Sequence, residues 1–410
     1  MRDFLFTVNS IFKTGEYNRR MSNVIDYLTW RGDLTFEQDT FGNADALILS
    51  CLSYVNLDGI VPGPGKGSIK LSEASDVFFR LHTEDELKAD KSLIKFAPGL
   101  LKSMAGTRRF GDALLSSYVN RTDLSVELQF AVLKITTSDG IDFISFRGTD
   151  DTIIGWKEDF NLSYKTVPAE NEAVEYLQNE GQSNLRTMRL GGHSKGGHLA
   201  VYAASGVTGD IAERIACIYN CDGPGFNRET YESEQYRSLN GRIVRIIPQG
   251  SIIGRLLECD TEPVITASSE IGLMQHDPLS WQITGKDFVT VQNTDQLSDL
   301  FKKTMTGWLE QMSFEERKFF IDDLFAVFAA SGCDYLSLLP KVGLRGKKAM
   351  LDRLNLMSAD SSEKVKMLVK LFFENWNGMR PAKELFGQKE LPNIFRIAKN
   401  AEMPADSPAN

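Results

Sequence analysis

The chain has 410 residues, 42% of them hydrophobic and 25% charged, enough to bury an extended core and to divide into two or three structural units. A net charge of −9 weighs against a general nucleic-acid binder, whose phosphate affinity would come from clustered Lys and Arg. Five cysteines with no CxxC pair and no metal-ligand spacing predict neither a disulfide framework nor a metal, and the opening residues lack the apolar stretch and cleavage site of a secretory signal.

In chain order, residues 1–125 read as an N-terminal helical segment, clearest over 44–55, where Leu47, Ile48, Cys51, Leu52 and Val55 recur at helical spacing. Val61-Pro62-Gly63-Pro64-Gly65 interrupts it with a loop. The pattern changes at about 127: 128–135 and 141–146 are strand-like runs joined through Ser138-Asp139-Gly140, a hairpin signal. Short apolar runs at 188–190, 215–219 and 243–247 then alternate with helical stretches at 170–177 and 199–204. This predicts an α/β core over 126–290, a mainly parallel sheet with helices on both faces. Over 291–402, amphipathic patterns at 297–309, 315–330 and 365–376 predict a C-terminal helical region, and the Pro-broken 403–410 predicts a disordered tail. No stretch has the apolar length of a membrane span, so the expectation is a cytoplasmic protein without stable membrane insertion. The basic residues Lys341, Arg345, Lys347, Lys348 and Arg353 read as a solvated helix face rather than as a nucleic-acid or membrane site.

The segment richest in chemistry is Leu190-Gly191-Gly192-His193-Ser194-Lys195-Gly196-Gly197-His198, a G-x-S-x-G pattern between a strand and a helix. A serine on so sharp a turn is lifted into the open, and glycines two places either side let strand and helix pass closely. The segment reads as the nucleophile elbow of an α/β-hydrolase fold with Ser194 as the candidate nucleophile, the rival reading being a glycine-rich strand-helix turn with an incidental serine. The following helix offers the Lys195 amide to a developing oxyanion and its positive dipole end to the serine.

A serine needs a base within hydrogen-bond reach, and the chain has only four histidines. His193 and His198 sit in and just beyond the elbow and read as structural; His82 lies upstream of the sheet, outside the nucleophile, acid, base order of this fold. His276, in a loop after the last predicted strand, is the candidate base. Asp222, just past the strand that follows the elbow, is the candidate acid, with a turn-capping role as its rival reading. Glu258, Asp260 and Asp277 are the reserves. No cofactor is called for.

With these residues in place the chain resembles the fungal-type (class 3) lipases, and more closely a bacterial branch of α/β-hydrolase-like proteins. Besides the elbow, Ile144-Ser145-Phe146-Arg147-Gly148-Thr149-Asp150, followed by Trp156 and Asp159-Phe160, is similar to the lipase FRGT segment with its later tryptophan and aspartate. The likeness covers about residues 100–290. It implies that Thr149 and Lys195 form the two halves of the oxyanion hole and that the substrate is a small acyl ester or lipid. It also implies a mobile lid after Thr149, to which Ile153, Ile154, Trp156, Phe160 and Leu162 would suit, although the same residues would suit plain core. One departure stands out: Ser251 occupies the position where the lipase acid is expected. Either Asp222 takes that role, or the site is a Ser-His dyad, or hydrolysis has been lost and the fold serves as a binding or scaffolding module.

Overall fold

The computed structural model describes residues 22–357, apart from 91, 124 and 127, together with 363–367 and 369. The stretch at the very start of the chain, most of 365–376 and the tail expected over 403–410 lie outside the described residues.

An eight-stranded sheet runs in strict chain order: β1 Ser68–Lys70, β2 Leu114–Asp123, β3 Leu128–Thr136, β4 Asp142–Phe146, β5 Met188–His193, β6 Ile215–Cys221, β7 Ile243–Pro248 and β8 Val264–Thr266. Strands β1 to β4 pair antiparallel, and β4 to β8 pair parallel. The fold is α/β, as the alternation of elements predicted, but the sheet begins well before residue 127. β2 escaped notice because its register breaks between Ser116 and Val119, with Ser117 at a positive φ of 52°, and because it ends in the exposed Arg121, Thr122 and Asp123. Both features spoil the two-residue alternation by which a strand is recognised.

Around the sheet lie α1 Val24–Arg31, α2 Asn43–Leu52, α3 Leu71–Leu81, α4 Glu84–Ala89 and α5 Ala97–Ala105 from the N-terminal segment. Helices α6 Ile153–Asn161 and α7 Pro168–Ser183 connect β4 to β5, α8 Lys195–Ser205 and α9 Gly209–Glu213 connect β5 to β6, and α10 Arg228–Glu232 and α11 Glu234–Arg237 connect β6 to β7. The C-terminal region contains α12 Gln296–Gln311, α13 Phe314–Ala330 and α14 Leu344–Asn355.

Helices cover both faces of the sheet, as expected, but the crossover helices supply only one of the two layers. Parallel strands that always step to the next position in the same direction, each by the usual right-handed crossover, place their helices on one side. Accordingly α7 and α8 pack Leu177, Leu199 and Ala203 against Phe130, Ile144, Phe146, Leu190 and Ile218. The other face, with Phe143, Tyr219, Cys221 and Ile246, is covered by the N-terminal helices through Leu47, Ile48, Leu52, Leu100 and Met104. Burying each such side chain contributes about 1.5–3 kcal/mol, so the N-terminal segment is integral to the core. It is locked internally by a fully buried ion pair, Arg109 Nη2 to Asp45 Oδ2 at 2.6 Å, to which the Tyr27 hydroxyl adds a 2.9 Å bond on Asp45 Oδ1.

A third core joins Ile153 and Trp156 of α6 to Ile252, Leu273, Met305, Leu324 and Phe328. The stretch that the lipase likeness reads as a lid is thus packed beneath the C-terminal helices. Thr152 bridges to Tyr335, Lys157 Nζ pairs with Asp322 at 2.6 Å, and Phe160 meets Phe325 edge-on at 5.3 Å; of the five candidate lid residues only Ile154 is exposed. Among the described residues no helix is long and apolar enough to cross a membrane, and no group of three or more His, Cys, Asp and Glu is placed to hold a metal ion.

Candidate active site

Ser194 joins β5 to α8 with φ 59° and ψ −135°. An L residue held there costs on the order of 1–3 kcal/mol, which the surroundings must enforce. They do so through close crossing: a Cβ on Gly192 would lie 2.2 Å from the carbonyl carbon of Gly196, and one on Gly196 would lie 2.1 Å from the carbonyl oxygen of Phe146. Only glycine allows this approach of β4, β5 and α8. The Ser194 amide donates to Cys221 O at 2.9 Å, so the elbow is fixed at the carboxyl ends of β5 and β6.

His276 ends a short 3-10 turn, Gly272–His276, and presents Nε2 2.9 Å from Ser194 Oγ. Its Nδ1 lies 2.6 Å from Asp222 Oδ2. With Nδ1–H donating to the carboxylate, Nε2 is the atom left to accept from the serine hydroxyl. Asp222 continues the sheet for one residue past β6, its amide donating to Ile246 O at 2.8 Å, and then leaves it at φ 52°. Its second oxygen accepts from Ser251 Oγ at 2.5 Å and from the Gly254 amide at 3.2 Å. Ser251, at the position where the likeness leads one to expect the acid, therefore orients the carboxylate that reaches the histidine. Two of the reserve carboxylates are engaged elsewhere, Asp260 with the Tyr236 hydroxyl at 3.3 Å and Asp277 with the Leu279 amide at 2.9 Å, while the main chain of Glu258 pairs with Phe226. Burial pushes the Asp277 carboxyl up to about 6.

Thr149, just past β4, is buried, and its hydroxyl lies 2.8 Å from both carboxylate oxygens of Asp159 on α6. Burial pushes the Asp159 carboxyl up to about 7, against the opposing pull of the Lys195 charge and the Thr149 hydroxyl. Lys195 is the first residue of α8, so its amide belongs to the first turn, whose N–H groups lack intrahelical acceptors. Its side chain turns into the core, where Nζ pairs with Glu158 Oε2 at 2.6 Å and donates to Gln129 O at 3.3 Å. Both members of that pair are buried, so it ties the elbow to α6.

The other histidines are placed away from Ser194 Oγ. His198 bonds Gly225 O and Glu170 Oε1, each at 2.9 Å, and stacks on Phe226; His82 caps α3 against Phe78. His193 bonds the Tyr54 hydroxyl through Nδ1 and the carbonyl oxygen of His276 through Nε2, each at 2.9 Å. Sequence reasoning missed Tyr54 and Glu158. Nothing in the pattern singles out a tyrosine just after α2, whereas Glu158 adjoins the Asp159 of the FRGT-like segment and could have been found beside it.

Ser194 and His276 open on a narrow cleft with about 20 Å³ of free space, walled by Tyr54, Ile94, Phe96, Thr149, Trp156 and Pro278. A larger depression of about 640 Å³ lies elsewhere, among polar side chains of α7, α8 and α10 such as Asn171, Gln178 and Thr230, and does not include the serine.

Fold and site together define an α/β protein with a Ser-His-Asp constellation at the carboxyl ends of its parallel strands. Residues 104–326, more than half of the chain, match the family described as Mbeg1-like, and the protein belongs to that family. No curated protein and no solved structure matches the chain.

Proposed function

We propose that the protein is a serine-dependent hydrolase of carboxylic esters. The observation that carries this reading is the unbroken chain of contacts from Ser194 Oγ through His276 to Asp222, at 2.9 and 2.6 Å. Membership of a family associated with lipase-like proteins supports it. In this reading His276 Nε2 takes the Ser194 proton as Oγ attacks the ester carbonyl, and Asp222 stabilises the imidazolium that forms. The amides of Thr149 and Lys195 receive the negative charge on the carbonyl oxygen. The imidazolium then protonates the departing alkoxide, and a water activated by the same histidine releases the acid from the acyl-enzyme.

The cleft beside Ser194 is tight, and Ile94, Phe96, Trp156 and Pro278 make its walls largely apolar. The rival reading, a binding module without hydrolysis, rests on Ser251 at the expected acid position, and the bond from Ser251 to Asp222 favours the hydrolase reading over it. The test is hydrolysis of p-nitrophenyl acetate and labelling by a fluorophosphonate probe, in the wild type and in Ser194→Ala. Labelling and turnover that both vanish in the variant are expected; turnover that survives it overturns the mechanism.

A further inference from the structure

We infer that Tyr54 and His193 form a positioning relay that holds the main chain of His276, so that the N-terminal segment, outside the matched stretch 104–326, completes the candidate active site. The inference rests on the hydrolase reading for its effect on rate, although the relay itself can be tested without turnover.

The direction of each bond follows from elementary chemistry. The His276 carbonyl oxygen can only accept, so His193 Nε2 carries a hydrogen. Burial, reinforced by the neighbouring His276, holds the His193 imidazole well below its usual range and hence neutral, which leaves Nδ1 bare. A bare nitrogen can only accept, so the Tyr54 hydroxyl donates to it at 2.9 Å. Burial also raises the Tyr54 hydroxyl well above its ordinary value, which keeps that proton in place.

The relay meets a specific need. His276 ends a 3-10 turn, and terminal carbonyls of such turns have no partner within the turn. His193 supplies one, while its ring lies 4.6 Å from the His276 ring. The same loop is tied to the N-terminal segment by Asn23 Nδ2 donating to Leu279 O at 2.9 Å, and the hairpin turn that follows it by Trp30 Nε1 donating to Gly285 O at 2.8 Å. The Tyr54 hydroxyl also abuts the strand end before Thr149, since a Cβ on Gly148 would lie 2.2 Å from it. One side chain thus touches both the support of the base and the backbone that leads to Thr149.

Tyr54→Phe deletes the donor and keeps the ring. The expected results are a roughly tenfold fall in kcat with KM nearly unchanged, the effect of one lost hydrogen bond, and faster amide hydrogen exchange over 272–280. His193→Gln, whose amide can still donate to the His276 carbonyl, should retain more activity than His193→Leu. In the wild type, imidazole nitrogen NMR should find His193 as the neutral Nε2–H tautomer, without titration between about pH 5 and 9. An Nδ1–H tautomer, a titrating His193, or exchange over 272–280 unaltered in Tyr54→Phe would each overturn the relay. Absence of Ser194-dependent turnover in the wild type would instead remove the hydrolase reading, while NMR and exchange still decide the relay.

Discussion

Replacing Asp222 by asparagine changes the charge and leaves the shape, and the consequence can be worked out atom by atom. Gly254 N–H can only donate, and it lies on Oδ1 together with Ser251 Oγ, so an amide at position 222 keeps its oxygen on that side. Its NH2 then faces Nδ1 of His276, at the place where the carboxylate accepts at 2.6 Å. Two donors cannot share that contact, so the imidazole moves its proton to Nε2, the atom that must receive the Ser194 proton. A wrong tautomer of this kind lowers kcat by about 10⁴ in the serine-protease template, or about 5 kcal/mol of transition-state stabilisation. The assay is steady-state hydrolysis of p-nitrophenyl acetate near neutral pH, with a thermal melt to establish that the variant folds. A folded Asp222→Asn protein with kcat within a few-fold of wild type would refute the assignment of Asp222 as the acid.

Three further outcomes are expected. Ser251→Ala removes one of the bonds to the Asp222 carboxylate and should reduce kcat by roughly ten- to a hundredfold, far less than Asp222→Asn; equal losses in a kinetic comparison would mean that Ser251 acts in another way. Lys195→Met strips Glu158 of its ammonium partner in the core and should cost about 3–5 kcal/mol in denaturant melts, with most of it recovered in Lys195→Met/Glu158→Leu; a single variant as stable as wild type contradicts this. The buried Asp159 carboxyl, raised to about 7 from 3.8, binds its proton more tightly folded than unfolded. Its contribution to stability is therefore full below about pH 4 and is lost as the pH rises through about 7. Asp159→Asn, with no such proton to lose, should gain stability relative to the wild type as the pH rises across that window in paired melts, and a variant-minus-wild-type difference that stays constant or falls would show the sign to be wrong.

What the sequence determined by itself was local. The elbow is legible because Gly192, Ser194 and Gly196 are fixed by a crossing of backbone so tight that no other residue fits at the glycines, and such a constraint leaves its mark on adjacent positions. The strands from β3 to β7 are legible because a sheet buried on both faces demands short apolar runs. The candidate base emerged because four histidines leave little to choose from. The tertiary structure alone decided which carboxylate meets His276, since Asp222 stands past one strand while the position where the likeness expects the acid, past the neighbouring strand, holds Ser251, which donates to Asp222 instead. It alone showed that the N-terminal helices cover the second face, a consequence of strand order that no local pattern encodes. Tyr54 is the clearest case, because its hydroxyl matters only through a contact with a residue 139 positions away, and a hydrogen bond across that separation leaves no periodic trace in the chain.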